Sequence, residues 1–104
     1  MKYKVDILGA RKVSMEEYLD GNVDVTVTFT DGTRYIPTFF TLDNIAFLMQ
    51  KDKKMKEDGE GAFFWSDDMV IVPELSEKAI HEAVHKMVET RYLFNLTKYP
   101  PEEK

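Results

Sequence analysis

The sequence predicts an α+β fold with two layers: a mostly antiparallel sheet of about five strands and two helices packed on one of its faces. Three observations predict it. A clear β-hairpin pattern surrounds residue 31, two later segments have the apolar spacing of amphipathic helices, and the other apolar runs are short. The predicted order is β-β-β-α-β-β-α. Short alternating strands are typical of antiparallel sheets, so the pattern argues against a doubly wound parallel sheet.

The N-terminal elements follow from alternation and capping patterns. Residues 2–8 alternate apolar and polar side chains and predict the first strand. Ser14 and Glu17 have the spacing of a capping box and predict a short helical turn that ends at Gly21. Residues 22–40 alternate on both sides of an Asp-Gly pair, which tolerates the positive φ of a tight turn and predicts a hairpin.

The register of this hairpin depends on its turn. A turn centred on residues 31–32 puts Val27 opposite Ile36 and Thr26 opposite Pro37. Proline has no N–H to donate across a strand pair. We therefore expect either a wider four-residue loop, TDGT, or a bulge before Pro37.

The two helices are predicted from their caps and apolar stripes. Thr41 is expected to cap the first, over residues 41–56, and Ser76 the second, over residues 76–90. Apolar residues at helical spacing mark the face that each helix buries. These stripes are Leu42, Ile45, Leu48 and Met49 in the first helix and Ile80, Ala83, Val84, Met87 and Val88 in the second.

Length and composition indicate one domain. The 104 residues, 43% of them apolar, suit a single compact domain over residues 1–98 with a flexible tail at 99–104. No cysteine is present, which removes disulfides, thiolate metal sites and thiol catalysis. No apolar run is long enough for a signal peptide or a membrane span, so a cytoplasmic location is expected. A net charge of -5 without a basic block disfavours nucleic acid as a partner.

The sharpest motif is HEAVH, at residues 81–85. His81 and His85 lie one helical turn apart, so both could reach one zinc ion. Glu82 could then act as the base on a zinc-bound water. Over these five residues the chain resembles the zincin metallopeptidases.

Other observations argue against a metal centre at this motif. A catalytic zinc takes three protein ligands, and the chain has only two histidines. Val88 and Arg91 stand where the metzincin extension has its glycine and third histidine, and Glu89 lies too close to His85 for the gluzincin pattern. Histidines at the border of an apolar stripe are ordinary on amphipathic helices. We therefore expect no metal and no cofactor.

Aromatic residues on both faces of short strands indicate a binding surface. Residues 62–65, AFFW, predict a short strand, in which Phe64 and Trp65 point to opposite faces and cannot enter one core. Tyr35 and Phe39 likewise point to the face of the strand opposite that of Ile36 and Phe40. Such strands need either a covered second face or a partner.

Two acidic residues follow the AFFW segment. Asp67 and Asp68 separate it from a second predicted strand at residues 69–72. With the acids of residues 57–60 they form an acidic neighbourhood suited to a cation or a basic partner. Turn chemistry is the alternative explanation, because aspartate suits tight turns.

These observations predict a small non-enzymatic domain that binds protein, either as a homodimer or as an accessory or inhibitor subunit. Compact acidic domains of this size suit basic partners, as nuclease inhibitors do. Two alternatives stay open: a zinc hydrolase that uses His81, Glu82 and His85, and a binder of small ligands through the aromatic face. The predicted binding residues are Tyr35, Phe39, Phe64, Trp65, Asp67 and Asp68.

Overall fold

The computed structural model describes residues 2–7, 22–55 and 62–102. Within these ranges the chain has the predicted α+β fold, with two α-helices and a mixed, strongly curled sheet of short strands. The predicted helical turn at residues 14–21 lies outside them. The elements are β1 Tyr3–Ile7, β2 Val23–Phe29, β3 Arg34–Tyr35, β4 Thr38–Phe40, α1 Leu42–Met55, β5 Met69–Ile71, α2 Glu77–Glu89, a 3-10 helix Tyr92–Asn95 and β6 Lys98–Tyr99.

The long strand β2 lies at the centre of the sheet. One of its edges pairs with β1, and the other pairs with both β3 and β4, all antiparallel. β3 and β4 are two parts of the single strand that the hairpin pattern predicts. They are separated at Ile36 and Pro37, because Pro37 has no N–H, although its carbonyl accepts a hydrogen bond from the Val25 N–H (3.0 Å).

The outer strands make the sheet mixed rather than purely antiparallel. β5 pairs with β4 in the parallel direction, and β6 pairs with β3 in the antiparallel direction. β1 therefore lies at one edge of the described sheet, and β5 and β6 lie at the opposite edge.

The β2–β3 hairpin closes with a three-residue loop. The Gly32 N–H donates to the Phe29 carbonyl, and the Phe29 N–H donates to the Thr33 carbonyl, both over 2.9 Å. Gly32 has a φ of 89°, in the left-handed region. This arrangement is a three-residue loop of the kind in which glycine follows a type I turn.

The expected register of this hairpin is wrong by one residue. Val27 lies opposite Tyr35 rather than Ile36, and Val23 lies opposite Phe39. Because successive strand residues point to opposite faces, a shift of one residue moves every side chain to the other face. Tyr35 and Phe39 consequently point into the core.

The core lies on the face of the sheet that α2 and the 3-10 helix cover. Apolar residues of β2, β3 and β4 meet apolar residues of these two helices there. Both α1 and α2 are expected on this face, but of these two helices only α2, not α1, has described side chains that belong to the core. The buried residues of the core are Val25, Val27, Tyr35, Phe39, Val72, Ile80, Val84 and Leu93.

Both predicted helix caps are confirmed. The Thr41 Oγ1 accepts a hydrogen bond from the Asn44 N–H (3.0 Å), and the Asn44 Oδ1 accepts one from the Thr41 N–H (2.9 Å). This reciprocal pair satisfies two backbone donors at the start of α1. The Ser76 Oγ accepts from the Ala79 N–H (3.1 Å) at the start of α2.

Two segments differ from the predicted elements. Residues 62–66 form no strand, and β5, the next strand along the chain, pairs with β4 rather than in a second hairpin. The expected tail at 99–104 begins inside β6, so the expected domain boundary at residue 98 falls within a strand. Beyond β6, the Arg34 Nη1 contacts the Glu102 Oε1 at 3.0 Å.

Candidate protein-binding surface

The segment that leads into β5 holds three aromatic residues in different environments. The Phe64 ring packs edge-on against the Phe40 ring, with 5.2 Å between ring centroids and 81° between planes. Phe40 is buried on the face of the sheet away from the main core, because its neighbour Phe39 points into that core. Phe63 and Trp65, on either side of the anchored Phe64, are 62% and 70% exposed.

Two further exposed apolar side chains, Leu42 and Ile71, lie in elements next to Phe40. Ile71 is paired with Phe40 between β4 and β5, next to the ring that Phe64 covers. Leu42 is 70% exposed and Ile71 is 48% exposed, and both line one open depression of about 360 Å³. We name these four exposed side chains the apolar patch: Leu42, Phe63, Trp65 and Ile71.

The outer edge of β5 lies beside the apolar patch. The Asp68 carbonyl accepts a hydrogen bond from β4 (3.0 Å), and the Val72 N–H donates one to β4 (2.8 Å). Because the backbone groups of successive strand residues alternate in direction, the N–H and carbonyl groups of Met69 and Ile71 point away from β4. In the part of the chain that the structure describes, no strand pairs with them. Such an edge can accept an added strand.

The exposed ionisable residues nearest the apolar patch along the chain are acidic. They are Asp43 in the first turn of α1, Asp67 just before β5, and Glu74 just after it. The side chains of Lys53 and Lys54 lie in the last turn of α1, at the other end of that helix. The surroundings of the patch therefore favour a partner with basic residues.

Asp68 has a structural position beside this surface. Its φ of 52° is in the left-handed region, which aspartate tolerates better than most residues. Its Oδ1 accepts hydrogen bonds from the N–H and the Oγ1 of Thr97, at 3.1 and 3.2 Å. The carboxylate thus joins the start of β5 to the segment before β6. The acids at residues 57–60, expected beside Asp67 and Asp68, lie outside the described residues.

Tyr35 and Phe39, predicted as binding residues, lie in the core. Tyr35 is 5% exposed, and its ring contacts the rings of Phe29 and Phe94, with centroids 5.9 and 5.5 Å away. Phe39 is fully buried. The one-residue shift in register is the physical reason, and it leaves Phe39 with no exposed surface and Tyr35 with very little.

The HEAVH segment lies on an exposed edge of α2. His81, Glu82 and His85 are all exposed. The His85 Nδ1 lies 3.4 Å from the Tyr3 hydroxyl, and its Nε2 lies 3.4 Å from the Glu89 Oε2. Among the residues that the structure describes, no three histidine, aspartate or glutamate side chains are grouped to hold a metal ion. Within the described ranges, HEAVH therefore supplies two histidines with no third ligand grouped beside them.

A depression of about 740 Å³ lies on the sheet face away from the main core, between Asp6, Thr26 and Thr28. It is open to solvent. The Arg34 guanidinium at its wall is already engaged, with Nη1 3.0 Å from the Glu102 Oε1 and Nη2 donating to the Pro100 carbonyl. The depression gives the small-ligand alternative no enclosed pocket.

Part of this surface is predictable from the sequence. Trp65, Phe64 and Asp67 are predicted binding residues, and they lie in or beside the apolar patch. The sequence pattern instead places Leu42 in the apolar stripe of the first helix and Ile71 in a buried strand. The available signal for Leu42 was its position directly after the cap Thr41, in the first turn of α1.

Comparison with known proteins gives no relative: no protein-family model, no curated protein and no solved structure matches the chain. None of the described helices is long and apolar enough to span a membrane.

Proposed function

We propose that this protein is a non-enzymatic binding domain that holds a protein partner against the apolar patch and the open edge of β5. The observation that carries the proposal is the exposure of Phe63 and Trp65 on either side of the anchored Phe64. Large aromatic side chains left in water forgo the free energy of burial. They are also the residue types that dominate the centres of protein interfaces.

The partner that fits is an extended segment of another protein. Such a segment can pair as an added strand with the outward backbone groups of Met69 and Ile71. Its alternate apolar side chains then contact the apolar patch, and basic residues beside them meet Asp43, Asp67 and Glu74. The net charge of -5 acts in the same direction, because it speeds encounter with a basic partner. We also propose a cytoplasmic location, which the lack of cysteine in the sequence supports.

The proposal can be tested with a library of random displayed peptides selected on the immobilised protein. Trp65 is the only tryptophan in the sequence, so its emission reports on the apolar patch. We expect selected peptides to combine alternating apolar residues with basic flanks and to shift Trp65 emission to shorter wavelength. Trp65→Ala should weaken their binding by roughly 30-fold, which corresponds to a hot-spot loss of about 2 kcal/mol.

Tyr92→Ala is the matched control for this experiment. Tyr92 is 67% exposed, close to the value for Trp65, but it lies in the 3-10 helix. Its replacement should leave peptide affinity unchanged. Peptides that bind Trp65→Ala as tightly as the wild type would contradict the proposal. Zinc near one per chain in the purified protein, lost in His85→Ala, would favour the hydrolase alternative instead.

A further inference from the structure

The backbone of β1 has a second edge that faces away from β2, on the side of the sheet opposite β5. On β2, the N–H groups of Val25 and Phe29 donate toward β3 and β4. The alternate residues of β2, Thr26 and Thr28, therefore bond to β1. In the described ranges, no strand pairs with the second edge of β1.

The residues that face this open edge follow from the register. Lys4 lies opposite Thr28 and Asp6 opposite Thr26, so their backbone groups are bonded to β2. The N–H and carbonyl groups of Tyr3, Val5 and Ile7 consequently point outward. Their side chains lie on the core face and are only half-buried, while those of Lys4 and Asp6 lie exposed on the other face.

The charges on β1 favour one way of pairing it with a second copy. If Val5 of one chain lies opposite the partner's Val5, then Lys4 lies directly opposite the partner's Asp6. In this register the outward N–H and carbonyl groups of the two strands face each other and can form hydrogen bonds. A register centred on Lys4 opposes two lysines, and one centred on Asp6 opposes two aspartates. Directly opposed like charges destabilise a strand pair, and opposite charges stabilise it.

We propose that two copies of this chain form a symmetric dimer through β1, antiparallel about a two-fold axis at Val5. Two cross-strand ion pairs, each between Lys4 of one protomer and Asp6 of its partner, set the register. The two strands then join the sheets of the two protomers into one continuous sheet, and the two-fold axis places the hydrophobic cores of both protomers on the same face of it. The interface is distinct from the proposed partner surface, so the dimer presents two apolar patches at the far ends of that sheet.

Charge reversal and charge exchange test the proposal, with sedimentation equilibrium across a concentration series as the measurement. The wild type is expected to dimerise. Lys4→Glu and Asp6→Lys each put like charges opposite one another, and each should raise the dimer dissociation constant about tenfold or more. The double variant carrying both substitutions restores opposite charges and should return the dissociation constant to near the wild-type value.

Lys53→Glu is the matched control, since Lys53 is exposed in the last turn of α1, far along the chain from β1. It should leave the dissociation constant unchanged. Both substituted residues of β1 are exposed, and circular dichroism of each variant checks that it is folded. A wild type that stays monomeric at every concentration would overturn the proposal, as would a double variant no better than the single ones. A dimer that dissociates on Trp65→Ala would instead assign self-association to the apolar patch.

Discussion

At the scale of single residues, the turn at Gly32 determines which side chains enter the core. The Asp31 Oδ1 accepts a hydrogen bond from the Thr33 N–H (2.9 Å), and this bond holds the pKa of the Asp31 carboxyl below its ordinary value. Gly32 then takes the left-handed conformation that closes a three-residue loop. The loop length fixes the register, and the register directs Tyr35 and Phe39 inward.

Gly32→Ala tests this account of the turn. A side chain at a left-handed φ costs about 1–2 kcal/mol, and a Cβ at position 32 would also lie 2.8 Å from the Pro101 Cβ. We expect urea unfolding to show a loss of at least about 1 kcal/mol. The same substitution combined with Pro101→Gly should recover part of the loss, because it removes the close contact. An unchanged unfolding midpoint in Gly32→Ala would contradict the three-residue loop.

The turn also shows what the sequence can predict at this scale. The Asp-Gly pair at residues 31–32 correctly indicates a hairpin. It does not distinguish a two-residue loop from a three-residue loop, since glycine with positive φ suits both. The choice depends on how the two strands pair, and therefore on residues outside the turn itself.

At the scale of elements, local capping signals predict both helix starts, but a short apolar run does not show whether it forms a strand. Thr41 and Ser76 cap their helices through hydrogen bonds to residues three positions on, so the information is local. The AFFW segment is different, because its anchor is the Phe64 contact with Phe40, which a periodicity of two cannot reveal. The two-residue strand β6 carries no pattern of its own and forms only by pairing with β3.

Comparison of two phenylalanine truncations tests the placement of β4. Phe39 is fully buried, so Phe39→Ala should lower the free energy of unfolding by about 3–5 kcal/mol. Phe63 is 62% exposed, and Phe63→Ala should change the free energy of unfolding by no more than about 0.5 kcal/mol. Chemical denaturation measures both. Equal effects of the two substitutions would contradict the register in which Phe39 lies opposite Val23.

At the scale of the whole molecule, the outer edges of β1 and β5, with which no strand of the described residues pairs, lie on opposite sides of the sheet. β1 presents opposite charges, Lys4 and Asp6, which suit self-pairing, and β5 presents apolar residues with acidic neighbours, which suit a basic partner. The sequence predicted a binding domain from aromatic residues on both faces of short strands. It did not predict which aromatics are exposed, because that follows from the register and from the Phe64 contact.

The proposed function requires that a partner segment pairs with the edge of β5 beside the apolar patch. Amide hydrogen exchange of the protein, alone and saturated with a selected peptide, detects this pairing residue by residue. We expect the amides of Met69 and Ile71 to exchange fast in the free protein and to become protected in the complex. The amide of Val70, which faces β4, should be protected in both states. Protection that arises only elsewhere, such as along α2 at His81 and His85, would show that the peptide does not pair with β5.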